Sequence, residues 1–276
     1  MIVCKQFPDK KFATKEQVFL ELRKNVEKII TLKKAQIQKS YTKGTGFNSF
    51  LPAIKDDTIK GFPQMKDGFI YPVINTTNYL DHHDDCHFPG IWKRSVSDQA
   101  GKIYYVTNHD LEIGDIIAWP EDVSMIVKTV PWSFVGKEYT GNTEALIFEI
   151  NKSRITNVDA LDIINNKRQV QNSVRMQYVN IKLAMNSENA EDATYKAYWD
   201  LRINEIANKD IAIEQGYFFG VEEAKIINEG SMVIKGSNDA TPVLQKYETG
   251  TTTSDNIEPP YPGTQNKAVI IFHNSI

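Results

Sequence analysis

Residues 173–185 read SVRMQYVNIKLAM, an apolar-rich run with no Gly or Pro inside it, and the spacing predicts one long strand. Similar stretches lie upstream. DGFIYPVIN (67–75), KIYYVTN (102–108), EIGDIIAWP (112–120), SMIVKTV (124–130) and EALIFEI (144–150) read as strands, with Gly, Pro and Asn between them. Downstream, EQGYFFGVEEAKIINEGSMVIKGS (214–237) supplies one or two more. Two helical patterns interrupt the series. NVDALDIINNKRQ (157–169) has Asn157 near its cap, and ATYKAYWDLRINEIAN (193–208) carries Tyr195, Trp199, Leu201, Ile203 and Ile206 as its apolar residues. The body, about 68–243, is therefore expected to be a β-rich α+β domain.

The clearest helix precedes that body. In residues 14–39, Thr14 and Gln17 stand in capping-box spacing, and Val18, Leu22, Val26, Ile29 and Ile30 recur at helical intervals. Its early position, followed by YTKGTGFNS, suits an appended arm over residues 1–67 that docks a partner. Packing on its own domain is the alternative. Residues 248–265 lack apolar periodicity and read as a flexible tail, with NKAVIIFHNSI (266–276) as a possible terminal strand.

Apolar residues make up 41% of the 276, enough for a packed core, and the formal net charge is -3. Charges of both signs are spread along the chain, which gives no electrostatic case for nucleic acid or a membrane as partner. Two cysteines form no disulfide framework, and the chain reads as intracellular with reduced thiols. There is no signal-peptide pattern, no internal repeat and no run approaching the roughly 18 apolar residues of a membrane span.

The stretch DHHDDCHFPG (81–90) holds three of the five histidines and one of the two cysteines. Zinc needs about four converging N or S ligands, and the adjacent His82 and His83 diverge in most backbone conformations. EF-hand spacing is absent. A polar turn feeding the next element is the expectation, with no metal and no organic cofactor. A metal-dependent hydrolase built on this stretch is a minor rival. The more informative histidine is His109, in YVTNHDLEIGDI, which follows one apolar strand and precedes another. Ser173 opens the long strand after a polar turn. A serine needs a base within hydrogen-bond reach, and the base needs a group to orient it.

Four blocks then occur in order: FPGIWKRS (88–95), TNHDLEIGDI (107–116), QNSVRMQY (171–178) and IINEGSMVIKGSNDATPV (226–243). Together they resemble the tailed-bacteriophage prohead proteases, capsid-maturation serine proteases related in fold to herpesvirus assemblin. The resemblance implies an assemblin-like antiparallel β-barrel core with flanking helices over 68–247. It implies His109 as general base, Ser173 as nucleophile and Glu229 as the acid that orients His109. Asp110 is not expected to orient its neighbour, because adjacent side chains on an extended segment point apart. Arg175 stands where the family carries a small or apolar residue. It is expected either to stabilise the oxyanion or to pair with a surface acid. The implied function is cleavage of scaffold and major capsid protein precursors, and of the chain itself, inside the immature capsid in the host cytoplasm, with self-association a possibility. A non-catalytic phage assembly protein on the same fold is the alternative.

Overall fold

The computed structural model describes residues 1–38, 50–52 and 62–246. The chain opens with a hairpin, β1 (Ile2–Cys4) and β2 (Phe7–Phe12), followed by α1 (Lys15–Ala35). Thr14 caps α1 by accepting a hydrogen bond from the Gln17 N–H, and the Gln17 side chain reaches back to the Ala13 N–H at 2.8 Å. The capping box is thus displaced by one residue from its usual reciprocal partner.

The remaining elements are β3 (Phe50–Pro52), β4 (Phe69–Thr76), β5 (Asp85–His87), α2 (Lys93–Gln99), β6 (Tyr104–Thr107) and β7 (Ile116–Ala118). Next come β8 (Ser124–Pro131), β9 (Asn142–Asn151), α3 (Val158–Asn165), β10 (Gln171–Met185), α4 (Ala193–Arg202), α5 (Lys209–Gln215), β11 (Tyr217–Val233) and β12 (Val243–Gln245). The expected strands are present, and 214–237 yields the single long strand β11. The hairpin, β3, β5, α2, α5 and β12 were not expected.

One sheet runs β10-β11-β6-β7, with β5 also pairing β11, and a second runs β3-β12-β4-β9-β8. The described strands thus form open sheets rather than the expected closed barrel. The two sheets meet through side chains, not through a ladder. At Gly230 on β11, an added Cβ would lie 2.7 Å from Phe148 of β9 and 3.1 Å from Ile74 of β4, so only glycine permits this approach. Tyr105 packs edge-on against Phe148 across the same interface.

The expected arm over 1–67 also needs correction. Val18, Phe19, Leu22 and Ile29 of α1 are buried, and they belong to the same apolar cluster as Val174, Met176 and Tyr178 of β10. Each such side chain contributes roughly 1.5–3 kcal/mol of burial. Lys33 adds a 2.6 Å ion pair to the fully buried Asp85, and Arg23 pairs with Asp192 at 3.0 Å. Apolar burial and these contacts make α1 part of the domain. The tail and terminal strand expected over 248–276 lie outside the described residues.

Candidate active site

β6 ends in a tight turn. Asn108 and His109 both have positive φ, 51° and 62°, a conformation that costs a non-glycine residue energy and needs tertiary support. That support comes from β11. The Asn108 N–H donates to the Met232 carbonyl at 2.9 Å, and the His109 N–H donates to Ser231 Oγ at 2.8 Å. Ser231 Oγ in turn donates to the Val106 carbonyl at 3.2 Å. The Asp110 N–H closes the turn on the Thr107 carbonyl at 3.0 Å, while the Asp110 side chain is exposed. Asp110 therefore helps shape the turn through its backbone.

The turn aims the His109 ring at Glu229. Nδ1 lies 2.8 Å from Glu229 Oε1, and both side chains are fully buried. An ionised carboxylate only accepts, so Nδ1 carries the proton, and the lone pair of the neutral ring sits at Nε2. Glu229 is placed by an irregularity in β11. Val174 pairs with Gly230 and Met176 with Ile226, so Arg175 alone faces Ile227, Asn228 and Glu229. Asn228 takes φ 67° there. Bulges of this kind re-aim side chains.

Ser173 lies on β10 directly across from Ser231. Paired residues share a sheet face, and residues two apart on a strand share it too. Gly230, beside them, turns to the opposite face, toward the second sheet. Ser173, Ser231 and Glu229 therefore occupy one face, and the His109 turn closes onto it. Ser173 is 8% exposed, and its hydroxyl makes no hydrogen bond among the described residues, to His109 or otherwise. The structure thus brings His109 and Glu229 into contact and leaves Ser173 one strand away on their face. Arg175 is half-buried, forms no ion pair among the described residues, and its Nε makes no hydrogen bond there. The surface-acid pairing considered for it is not formed among the described residues.

The ligand-rich stretch is built differently. Asp81 Oδ1 accepts the His83 and Asp85 N–H groups at 2.8 and 3.0 Å, closing a turn in which Asp84 has φ 62°. Asp84 takes Lys5 Nζ at 2.6 Å and the Tyr217 hydroxyl at 3.0 Å. His82 faces Asp239 at 3.4 Å. Among the described residues, no three His, Cys, Asp or Glu side chains gather as a metal site would need. Burial raises the Cys86 thiol well above its ordinary pKa, leaving a protonated, inert group.

Ser231, which holds the His109 backbone, was not singled out from the sequence. Its place two residues after Glu229, on the same strand face, was the available signal. No helix of the described residues is long and apolar enough to cross a membrane. Comparisons with family models, with curated proteins and with solved structures give no match.

Proposed function

We propose that this chain is a serine endopeptidase of the prohead-maturation type, with Ser173 as nucleophile, His109 as base and Glu229 as its orienting acid. The observation that carries the reading is the buried His109–Glu229 hydrogen bond on the sheet face that also bears Ser173. A fully buried carboxylate against Nδ1 sets the tautomer a general base requires and faces the charge that forms when Nε2 takes a proton. Ser173 Oγ attacks the peptide carbonyl carbon as its proton passes to His109 Nε2. The tetrahedral oxyanion then collapses, the C–N bond breaks, and the same proton moves to the leaving amine. Water, activated by His109, releases the acyl group. Because Ser173 and His109 form no hydrogen bond here, substrate binding has to close that gap; such contacts often tighten only in the complex. Arg175, without an ion-pair partner among the described residues, is the candidate to stabilise the oxyanion.

An assemblin-like core belongs to the same proposal, supported by the four sequence blocks and by the nucleophile on β10 and the base just after β6 flanking β11 in one sheet. The substrates in this reading are scaffold and major capsid protein precursors, cleaved inside the immature capsid, along with the chain itself. The missing Ser173–His109 hydrogen bond favours a second reading, a non-catalytic assembly protein on the same fold. Co-expression with the scaffold and capsid precursors encoded alongside this chain tests both, comparing wild type with Ser173→Ala. Trimming by wild type alone supports the protease. Equal trimming by both removes Ser173 from the mechanism, and no trimming by either supports the assembly role.

A further inference from the structure

β10 is the terminal strand of its sheet, and its outer edge has an occupant from this chain. The Gln38 N–H donates to the Met176 carbonyl at 2.8 Å, and the Met176 N–H donates to the Gln38 carbonyl at 3.1 Å. This is a two-way antiparallel bridge. It arises because α1 ends in extended backbone, with Gln36 at φ -78° and ψ 137°. The Gln177 side chain fixes the exit further by donating to the Lys34 carbonyl at 3.0 Å. Nearer the other end of the same edge, the Asn172 N–H donates to the Thr241 carbonyl at 3.1 Å. Val174 lies midway. By the alternation of an antiparallel ladder its N–H and C=O also turn outward, and among the described residues they meet no backbone beyond β11. Gln38 lines one cleft together with Asn172, Ser173, Val174 and Met176.

We propose that the exit of α1 is an intrachain plug: through Gln38 it holds, by strand addition, the β10 edge on which an extended polypeptide would dock beside Ser173. Strand addition draws its affinity from main-chain hydrogen bonds and is tolerant of sequence. The edge therefore fits an unfolded or loop segment of a protein rather than a small molecule, and an incoming segment must displace Gln38 to extend along β10. The plug rests on the protease reading only for the fate of the docked peptide.

The test uses the full chain carrying Ser173→Ala, so that binding is read without cleavage. Fluorescein-labelled casein serves as the extended polypeptide. Gln38→Pro removes the N–H that donates to Met176, whereas Gln38→Ala keeps the backbone and deletes only the side-chain bond to the Lys33 carbonyl. Gln38→Pro is expected to bind casein roughly two- to tenfold more tightly, the worth of one main-chain hydrogen bond, with Gln38→Ala unchanged. Hydrogen exchange should show the Met176 amide deprotected in the proline variant and protected again when casein binds. Equal casein affinity in all three chains overturns the plug, as does an alanine variant that gains as much as the proline one. Gained binding in the proline variant, beside a wild-type chain that cleaves nothing, keeps the plug and discards the protease.

Discussion

Two buried histidines flank β11 and differ in what holds them. His87 follows from the ligand-rich stretch and sits on β5, which pairs β11 at Phe219–Val221. His109 follows β6, which pairs β11 at Glu229–Met232. The His87 ring meets neutral groups. Asn75, oriented by the Trp92 N–H at 3.1 Å, donates to Nδ1 at 2.9 Å, and Nε2 lies 3.4 Å from the Tyr178 hydroxyl. The nearby carboxylate, Asp85, is engaged by Tyr178 at 2.9 Å and Lys33 at 2.6 Å. His109 instead has a carboxylate directly on Nδ1. The two rings therefore carry opposite tautomers, and only His109 has a partner suited to a transient positive charge. Histidine density along the chain is thus a poor guide to chemistry. What matters is the group on the other ring nitrogen.

The largest expected effect tests the His109 side. Ser173→Ala should lower precursor cleavage by roughly a thousandfold or more while leaving the melting temperature unchanged, because the serine makes no hydrogen bond among the described residues. Cleavage that survives would break the comparison at its functional end. Glu229→Gln keeps the shape but removes the charge facing His109. A fall of about a hundredfold or more in single-turnover cleavage is expected, with the folded state retained.

On the His87 side the loss should be in stability. Asp85→Asn leaves Lys33, whose side chain is 11% exposed, without its anion, at a cost of about 3–5 kcal/mol in chemical denaturation. Cleavage by the folded fraction should change less than about threefold. An inactive but fully stable variant would put Asp85 in the chemistry instead.

Titration tests the His87 side more finely. Burial pushes His87 down to about 4, against a pull upward from Asp85. A histidine with a depressed folded value binds fewer protons folded than unfolded. Its contribution is therefore present above the unfolded value, about 6.5, and is lost as pH falls toward 4, to a total of order 3 kcal/mol. The C–H resonances of His87 should stay in the neutral position down to about pH 5. A midpoint near 6.5 would show that the ring is solvated. The smallest effect is expected at Asn108→Gly, where the positive φ suits glycine. Stability should move by only a few tenths of a kcal/mol in thermal denaturation.

Some of this was legible in the chain. The Thr14 cap, the helix behind it and the Asn157 cap, which accepts the Ala160 N–H at 2.8 Å, are short-range devices written in neighbouring residues. Strands β4, β6, β8, β9 and β10 announce themselves by apolar runs bounded by turns. His109, Ser173 and Glu229 were legible as residue types in family-like blocks. β5 was not, because DCH has no strand pattern of its own and is extended through parallel pairing with Phe219–Val221. The arm was misjudged for a similar reason: an amphipathic helix does not state which surface its apolar face will cover.

Local periodicity and capping chemistry act over a few residues, so the sequence alone determined α1, α3 and α4, most strands and the candidate residues. Tertiary structure decided the rest: that Glu229 meets Nδ1 of His109, that Ser231 carries the strained turn, and that Ser173 shares their face. Those facts depend on the register between β10, β11 and β6 and on the irregularity at Asn228. Because side chains alternate across a strand, a slip of one residue in that register would turn Ser173 or Glu229 to the other face and dissolve the site.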